Sequence, residues 1–388
     1  MKVALFQPYY LGWGGTEKVA YDLARYLPEQ GIGLKIVTPG KGVFTERLEQ
    51  AGLPYEVLEA PEILNKFGGA FYSFGFSEAL DFALKMLQYN WRLSRWIKKE
   101  KLDLVILNGA RASVIAGLAP IFAKVPSVLY LHGYFHKVKK SKFESIVNMW
   151  TALWPTYYVA VSKGSINDFS AKLPIWLKQK LKNRCDVVYN WTAIQAFRNA
   201  AKEEDKPGPF HLGTLANIER RKGIHKLLEV ATLLKGRELD FRLIIGGAVT
   251  DRVYFAELKD MVRSMDLEDI VEFRGFVDPA EFLPQLDVFL FASTQEGMPL
   301  AVIEAIASGL PIVAFDATGI TEVLDNGAAG ILIPSGNVDM MADAVALLLS
   351  DSYTRAQYAR KALERSKLFS PDVQIHRLGT ILKRWAKR

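Results

Sequence analysis

Cysteine is almost missing from this chain. Cys185 stands alone among 388 residues, which excludes an intrachain disulfide framework and any thiolate-based zinc site. That usage suits a reducing compartment, so a cytoplasmic location is expected. No apolar run reaches the ~20 residues of a membrane span. The opening Met1-Lys2-Val3-Ala4-Leu5-Phe6-Gln7-Pro8 is broken too early for a signal peptide and reads as a first strand. There is no solenoid-length repeat and no low-complexity tract. His-Glu-x-x-His, a Walker loop, a Gly-x-Ser-x-Gly elbow and the Gly-x-Gly-x-x-Gly dinucleotide fingerprint are all absent.

What is present is a folded globular composition, 50% hydrophobic and 23% charged, long enough for two or three domains. The net charge of +7 is unevenly spread. Residues 1–191 carry 25 Lys and Arg against 15 Asp and Glu, residues 192–370 carry 19 against 26, and residues 371–388 carry 5 against 1. Seven of the eight tryptophans also fall in the first part. A basic, Trp-rich half points to an anionic surface met by one domain, and phospholipid fits that chemistry best. Nucleic acid is not expected, because no binding motif of recognised spacing occurs.

Strand and helix patterns alternate throughout, which predicts parallel sheets covered by helices. The first series is Val3–Gln7, Leu34–Thr38, Leu102–Leu107, Ser127–Leu131, Tyr157–Val161 and Val187–Tyr189. A second opens after the polar link Lys202–Pro209, with Phe210–Leu215, Phe241–Ile245, Val271–Arg274, Val288–Ala292, Ile312–Phe315 and Gly330–Ile333. Two Rossmann-like α/β domains are therefore expected, 1–190 and 191–370. The last helix has Ser370 as cap and Pro371 in its first turn, then apolar Val373, Ile375, Leu378, Ile381, Leu382 and Trp385.

Two segments of the first half depart from a plain Rossmann pattern. Asn65–Phe76 is aromatic and glycine-rich, and is followed by Leu80, Ala83, Leu84, Leu87 and Trp91 at helical spacing, with Arg92, Arg95, Lys98 and Lys99 at the helix end. The run from Lys137 to Lys142 precedes Phe143, Ile146, Val147, Trp150 and Trp154. A solvated charged face and an interfacial or acceptor-facing surface are both compatible with them.

The richest stretch is Glu296-Gly297-Met298-Pro299-Leu300, continuing to Glu304 and Gly309. It follows a buried-strand pattern. Gly297 permits close backbone approach, Pro299 suits a first helical turn and Gly309 an end. A helix starting near Pro299 would aim N–H groups and a positive dipole end at an anion such as a diphosphate. Glu296 and Glu304 flank that site and suit sugar hydroxyls, since carboxylates repel phosphate. Gly12-Trp13-Gly14-Gly15 opens the first helix, Arg220-Arg221-Lys222-Gly223 follows the first strand of the second half, and His132 ends the strand Ser127–Leu131. Each lies at a strand's C-terminal end, where α/β proteins bind ligands.

The run from Glu296 to Glu304 resembles the Glu-x7-Glu motif of retaining GT-B glycosyltransferases, the group numbered four. The likeness continues through Pro311–Asp316 and Gly319–Val323 to Ala329–Pro334. The resemblance implies a GT-B fold whose last helix, 371–388, crosses back to the N-terminal domain. It implies a first domain for the acceptor and a second for a nucleoside-diphosphate-sugar, with UDP or GDP as the base carrier. Glu304 would bind ribose, and Glu296 and His132 would stand by the donor sugar. Lys222, with Arg220 or Arg221, would meet the diphosphate, because the family's arginine position is Thr214 here. Gly14, Gly15, Asn190, Gly297, Met298, Pro299 and Leu300 would line the donor, Ser162-Lys163 would face the same cleft, and the Arg274 loop would hold the base. With no Asp-x-Asp, no metal or other cofactor is expected. The implied activity is sugar transfer with retention to a hydroxyl acceptor, with a lipid-linked or cell-envelope glycan favoured by the basic aromatic half. A synthase of a soluble glycoside and an inactive donor-binding subunit are the alternatives.

Overall fold

The computed structural model describes residues 1–65, 75–133, 142–171, 173–198 and 208–386. The aromatic run 66–74, the cluster 134–141 and the link 199–207 lie outside the described residues. The chain forms two compact units, Met1–Tyr189 with Asp372–Arg388, and Asn190–Pro371.

In the first unit seven strands form one sheet, the central ones from short apolar runs buried on both faces and the two edge ones, carrying Glu56 and Asp186, half-buried. They are β1 (Lys2–Phe6), β2 (Gly33–Thr38), β3 (Tyr55–Val57), β4 (Leu104–Asn108), β5 (Ser127–Leu131), β6 (Tyr157–Ala160) and β7 (Cys185–Val187). All pairings are parallel, in the order β3-β2-β1-β4-β5-β6-β7. Ala4, Phe6, Val105, Leu107, Leu129 and Leu131 share one core cluster with Phe82, Leu93, Leu118, Phe169 and Leu177 from the helices between residues 76 and 184. Right-handed crossovers put Gly15–Tyr26 and Val43–Gln50 on the opposite face, because β1 to β3 step the other way across the sheet.

The second unit repeats the plan with six parallel strands. These are β8 (Phe210–Leu215), β9 (Phe241–Gly246), β10 (Val271–Gly275), β11 (Val288–Phe291), β12 (Ile312–Phe315) and β13 (Ile331–Ile333), ordered β10-β9-β8-β11-β12-β13. In each sheet the strand order reverses at the centre, between β1 and β4 and between β8 and β11. A crevice opens there beyond the strands' carboxyl ends.

The helix Pro371–Ala386 belongs to the first unit, as the GT-B expectation requires. Ile375, Leu378, Leu382 and Trp385 are buried, and the Trp385 ring stacks on Tyr157 at 4.7 Å. Arg384 pairs with Asp186, and Gln374 Oε1 accepts the Tyr189 N–H at 3.0 Å. Val373, read as part of the apolar face, is instead 44% exposed.

Three local expectations are corrected. The last strand of the first unit is Cys185–Val187, not Val187–Tyr189, because the Tyr189 N–H turns to Gln374 instead of to β6. The three-residue edge strand β3 was not expected, because Tyr55-Glu56-Val57 alternates over too few residues to signal a strand. Pro299 is the cap of its helix, at φ −73 and ψ 119, and the helix proper is Leu300–Ala307.

Candidate active site

In the second unit the site forms where β8 and β11 diverge. After β8 the chain makes a tight turn, Arg220–Lys222, ended by Gly223 in left-handed backbone at φ 68. A Cβ on Gly223 would lie 2.3 Å from the Ala292 carbonyl oxygen, so only glycine lets this turn press on the end of β11. That approach brings Lys222 Nζ to 2.5 Å from Glu296 Oε1. The Ser293 hydroxyl donates to the same oxygen at 2.7 Å, and Arg221 reaches it at 3.4 Å. The Lys222 and Glu296 side chains are only 14% and 11% exposed, so their attraction is weakly screened. Arg220 turns away, pairing with Glu257 and lying 4.9 Å over the Tyr254 ring. Of three adjacent cations, two converge on the carboxylate and one does not.

The motif loop is braced from both sides. Gly319, at φ 82, is so close that a Cβ there would sit 2.0 Å from the Gly297 carbonyl oxygen. On the other side Asn190 Nδ2 donates to the Met298 carbonyl at 2.8 Å, and its backbone N–H points to Met298 Sδ at 3.3 Å. Asn190 Oδ1 is buried without a hydrogen-bond partner, an unmet acceptor beside the loop. Met298 and Glu304 are each 4% exposed, and Pro299 and Gly297 are buried; Leu300 begins the helix. Arg274 lies apart on exposed β10, donating to Glu272 and Gln285 and holding the Glu272 carboxyl below its usual range.

In the first unit, β1, β4 and β5 end on a linked row of side chains. Gln7 Nε2 donates to the Tyr9 carbonyl at 2.9 Å, so Gln7 Oε1 faces Asn108 and accepts its amide. Asn108 Oδ1 is then left toward His132 Nε2. Because that oxygen can only accept, the imidazole proton sits on Nε2 and the Nδ1 lone pair is outward of the row. Burial pushes the His132 pKa down to about 3, and the ring stacks on Tyr130 at 4.6 Å. His132 is therefore a neutral imidazole at ordinary pH.

Gly14 caps the helix Gly15–Tyr26, with its carbonyl accepting the Lys18 N–H at 2.9 Å. Behind it Glu17 is 8% exposed, accepts the Thr16 hydroxyl at 2.8 Å, and has its pKa raised by desolvation. Ser162 accepts the Ser165 N–H at 3.0 Å, which is a helix-cap role, and Lys163 beside it is exposed. Gln7, Asn108 and Ser293 were not singled out in the sequence. Asn108 and Ser293 directly follow or end buried strands, which is the signal that could have found them.

The fold is shared with solved proteins. The Anabaena protein HepE in complex with UDP superposes with a TM-score of 0.81 at 20% identity, over 99% of this chain and 100% of that one. Residues 13–191 match the model described as Glycosyltransferase Family 4, and residues 196–365 match Glycosyl transferases group 1. The chain belongs to the GT-B glycosyltransferases. This transferase is 23% identical over 376 residues to a Haemophilus influenzae protein named an uncharacterized glycosyltransferase, covering 96% of this chain and 95% of that one. A Campylobacter jejuni N-acetylgalactosaminyltransferase, named for a diphospho-undecaprenol acceptor, is 26% identical over 69% of this chain and 72% of its own length. The transferase spans under half the length of a Pseudarthrobacter chlorophenolicus D-inositol 3-phosphate glycosyltransferase, at 31% identity over 183 residues and 43% of that protein.

Proposed function

We propose that the protein transfers a sugar, with retention, from UDP- or GDP-sugar to a hydroxyl of a lipid-linked or cell-envelope glycan. It acts as a peripheral protein on the cytoplasmic face of a membrane. The observation that carries this reading is the convergence of Lys222, Arg221 and Ser293 on one oxygen of Glu296, directly before a helix start. When a donor enters, its diphosphate competes for Lys222 and Arg221, and Glu296 is released to hydroxyls of the donor sugar. Glu304 takes the ribose and His132, as a neutral imidazole, the sugar. The bond from the anomeric carbon to the phosphate oxygen breaks as the acceptor oxygen bonds on the same face, and the acceptor's hydroxyl proton passes to the departing phosphate oxygen. The cations and the helix start stabilise the departing charge, so no metal ion is called for. HepE structures with UDP, with UDP and glucose and with UDP-glucose support a uridine donor. The diphospho-undecaprenol for which the Campylobacter enzyme is named supports a lipid-linked acceptor.

The test is release of free nucleotide from UDP- and GDP-sugars with and without envelope extracts, in EDTA. Activity is expected to survive EDTA. Glu296→Ala should lower turnover by roughly a hundredfold, whereas Glu304→Ala should chiefly weaken donor binding. Unchanged kinetics in both variants, or a strict Mg²⁺ or Mn²⁺ requirement, would refute the assignment. A donor-induced rise in Tm with no turnover would identify the donor-binding subunit instead.

A further inference from the structure

We propose that one helical layer of the first unit is the membrane-docking face, and that an anionic bilayer is its occupant. The inference deepens the peripheral reading above by naming the surface. The helix Phe76–Glu100 packs Phe82, Met86, Tyr89 and Leu93 onto the sheet and turns Leu80, Leu84, Leu87 and Trp91 outward. These four are 53%, 52%, 46% and 60% exposed and lie on one stripe at helical spacing. Arg95, Lys98 and Lys99, all exposed, continue the same side into the last turns. Of the helix's three acids, Asp81 is met by Lys85 at 3.1 Å and Glu100 by Lys35 at 2.8 Å, while Glu78 accepts the Gly75 N–H at 3.0 Å at the helix start.

The same layer shows more of this pattern. The helices of residues 110–123 pack beside the long helix, Lys142–Leu153 packs beside them, and Ile175–Arg184 follows. Ile121 is 43% exposed, and Ile175 and Trp176 are 84% and 55% exposed. On the opposite face, the helices Gly15–Tyr26 and Val43–Gln50 expose one large apolar side chain, Val43. The charge of the sequence is also unequal between the two stretches. Residues 76–184 carry 18 Lys and Arg against 6 Asp and Glu, while residues 1–75 carry 7 against 8.

Exposed Leu, Ile and Trp beside Arg95, Lys98 and Lys99, which form no salt bridge among the described residues, suit the boundary between acyl chains and anionic headgroups. A second copy fits poorly, because an isologous contact would set this excess positive charge against itself. A nucleic acid would leave the aliphatic side chains without a role.

The experiment is co-sedimentation of the full chain with phosphatidylcholine vesicles, with and without phosphatidylglycerol. Preferential binding to the anionic vesicles, weakened by salt, is expected. Leu84→Ser/Trp91→Ser/Trp176→Ser should weaken it by on the order of tenfold, and Arg95→Glu/Lys98→Glu/Lys99→Glu by on the order of a hundredfold. Thermal unfolding, with its UDP-induced shift, verifies that both variants are folded and still bind donor. Equal binding to neutral and anionic vesicles, no binding, or binding indifferent to both variants overturns the docking face. So does a dimer in analytical ultracentrifugation that Leu84→Ser/Trp91→Ser dissolves. None of those outcomes touches the transferase reading, which is measured on soluble donor.

Discussion

The Tyr9 carbonyl can only accept, and that one constraint orients Gln7, Asn108 and His132 in turn. With a native pKa of about 3, set by burial, His132 stays unprotonated where the unfolded chain's histidine, near 6.5, takes a proton. The sign follows. Above about pH 6.5 the group adds nothing to the pH dependence. Between about 6.5 and 3 only the unfolded state binds the proton, so stability falls with pH by up to about 1.4 kcal/mol per unit. His132→Gln deletes that term. In urea unfolding at pH 7.5 and 5.5, the wild type should lose about 1 kcal/mol more than the variant; equal losses would show that the imidazole is not held neutral. His132 could be picked out from the sequence because it ends a strand. Asn108 carries the same strand-end signal, but its link to Gln7 was not legible, since 101 residues separate them and only sheet pairing makes them neighbours. Likewise residue type and the Glu-x7-Glu spacing drew attention to Glu296 and Lys222. That they share one oxygen with Ser293 depends on how the 220–222 turn meets β11.

At the scale of elements, glycines fix how closely the site loops approach one another. Gly319→Ala combines left-handed backbone with a clash against the Gly297 carbonyl. It should cost about 2 kcal/mol or more in urea unfolding and should abolish the donor-induced Tm shift. A variant of unchanged stability would mean that the motif loop adapts freely. The central strands were readable because buried parallel strands are uninterrupted apolar runs; Phe210–Leu215 and Ile312–Phe315 match the expectation to the residue. Edges were not. β3 is three half-buried residues, and β7 is displaced because the C-terminal helix claims the Tyr189 N–H. Arg220 shows the same gap, since sequence adjacency to Lys222 said nothing about which way a turn points its side chains.

At the scale of the whole molecule, each of two parallel sheets reverses its strand order at the centre, and the helix Pro371–Ala386 rejoins the unit the chain began with. Trp385 is 3% exposed and stacked on Tyr157. Trp385→Ala should therefore destabilise the first unit by about 3–5 kcal/mol, read by thermal unfolding; an effect under about 1 kcal/mol would show that the helix is an ornament of that unit. The returning helix also sets an order of events on the ribosome. Residues 1–189 emerge first, yet the face that receives Ile375, Leu378 and Trp385 stays open until some 180 further residues have been made. At ~5–20 residues per second that interval is roughly 10–40 s. Throughout it the nascent chain displays an unfilled apolar groove, while the second unit has all its own strands and can close. The domain synthesised first is the domain completed last.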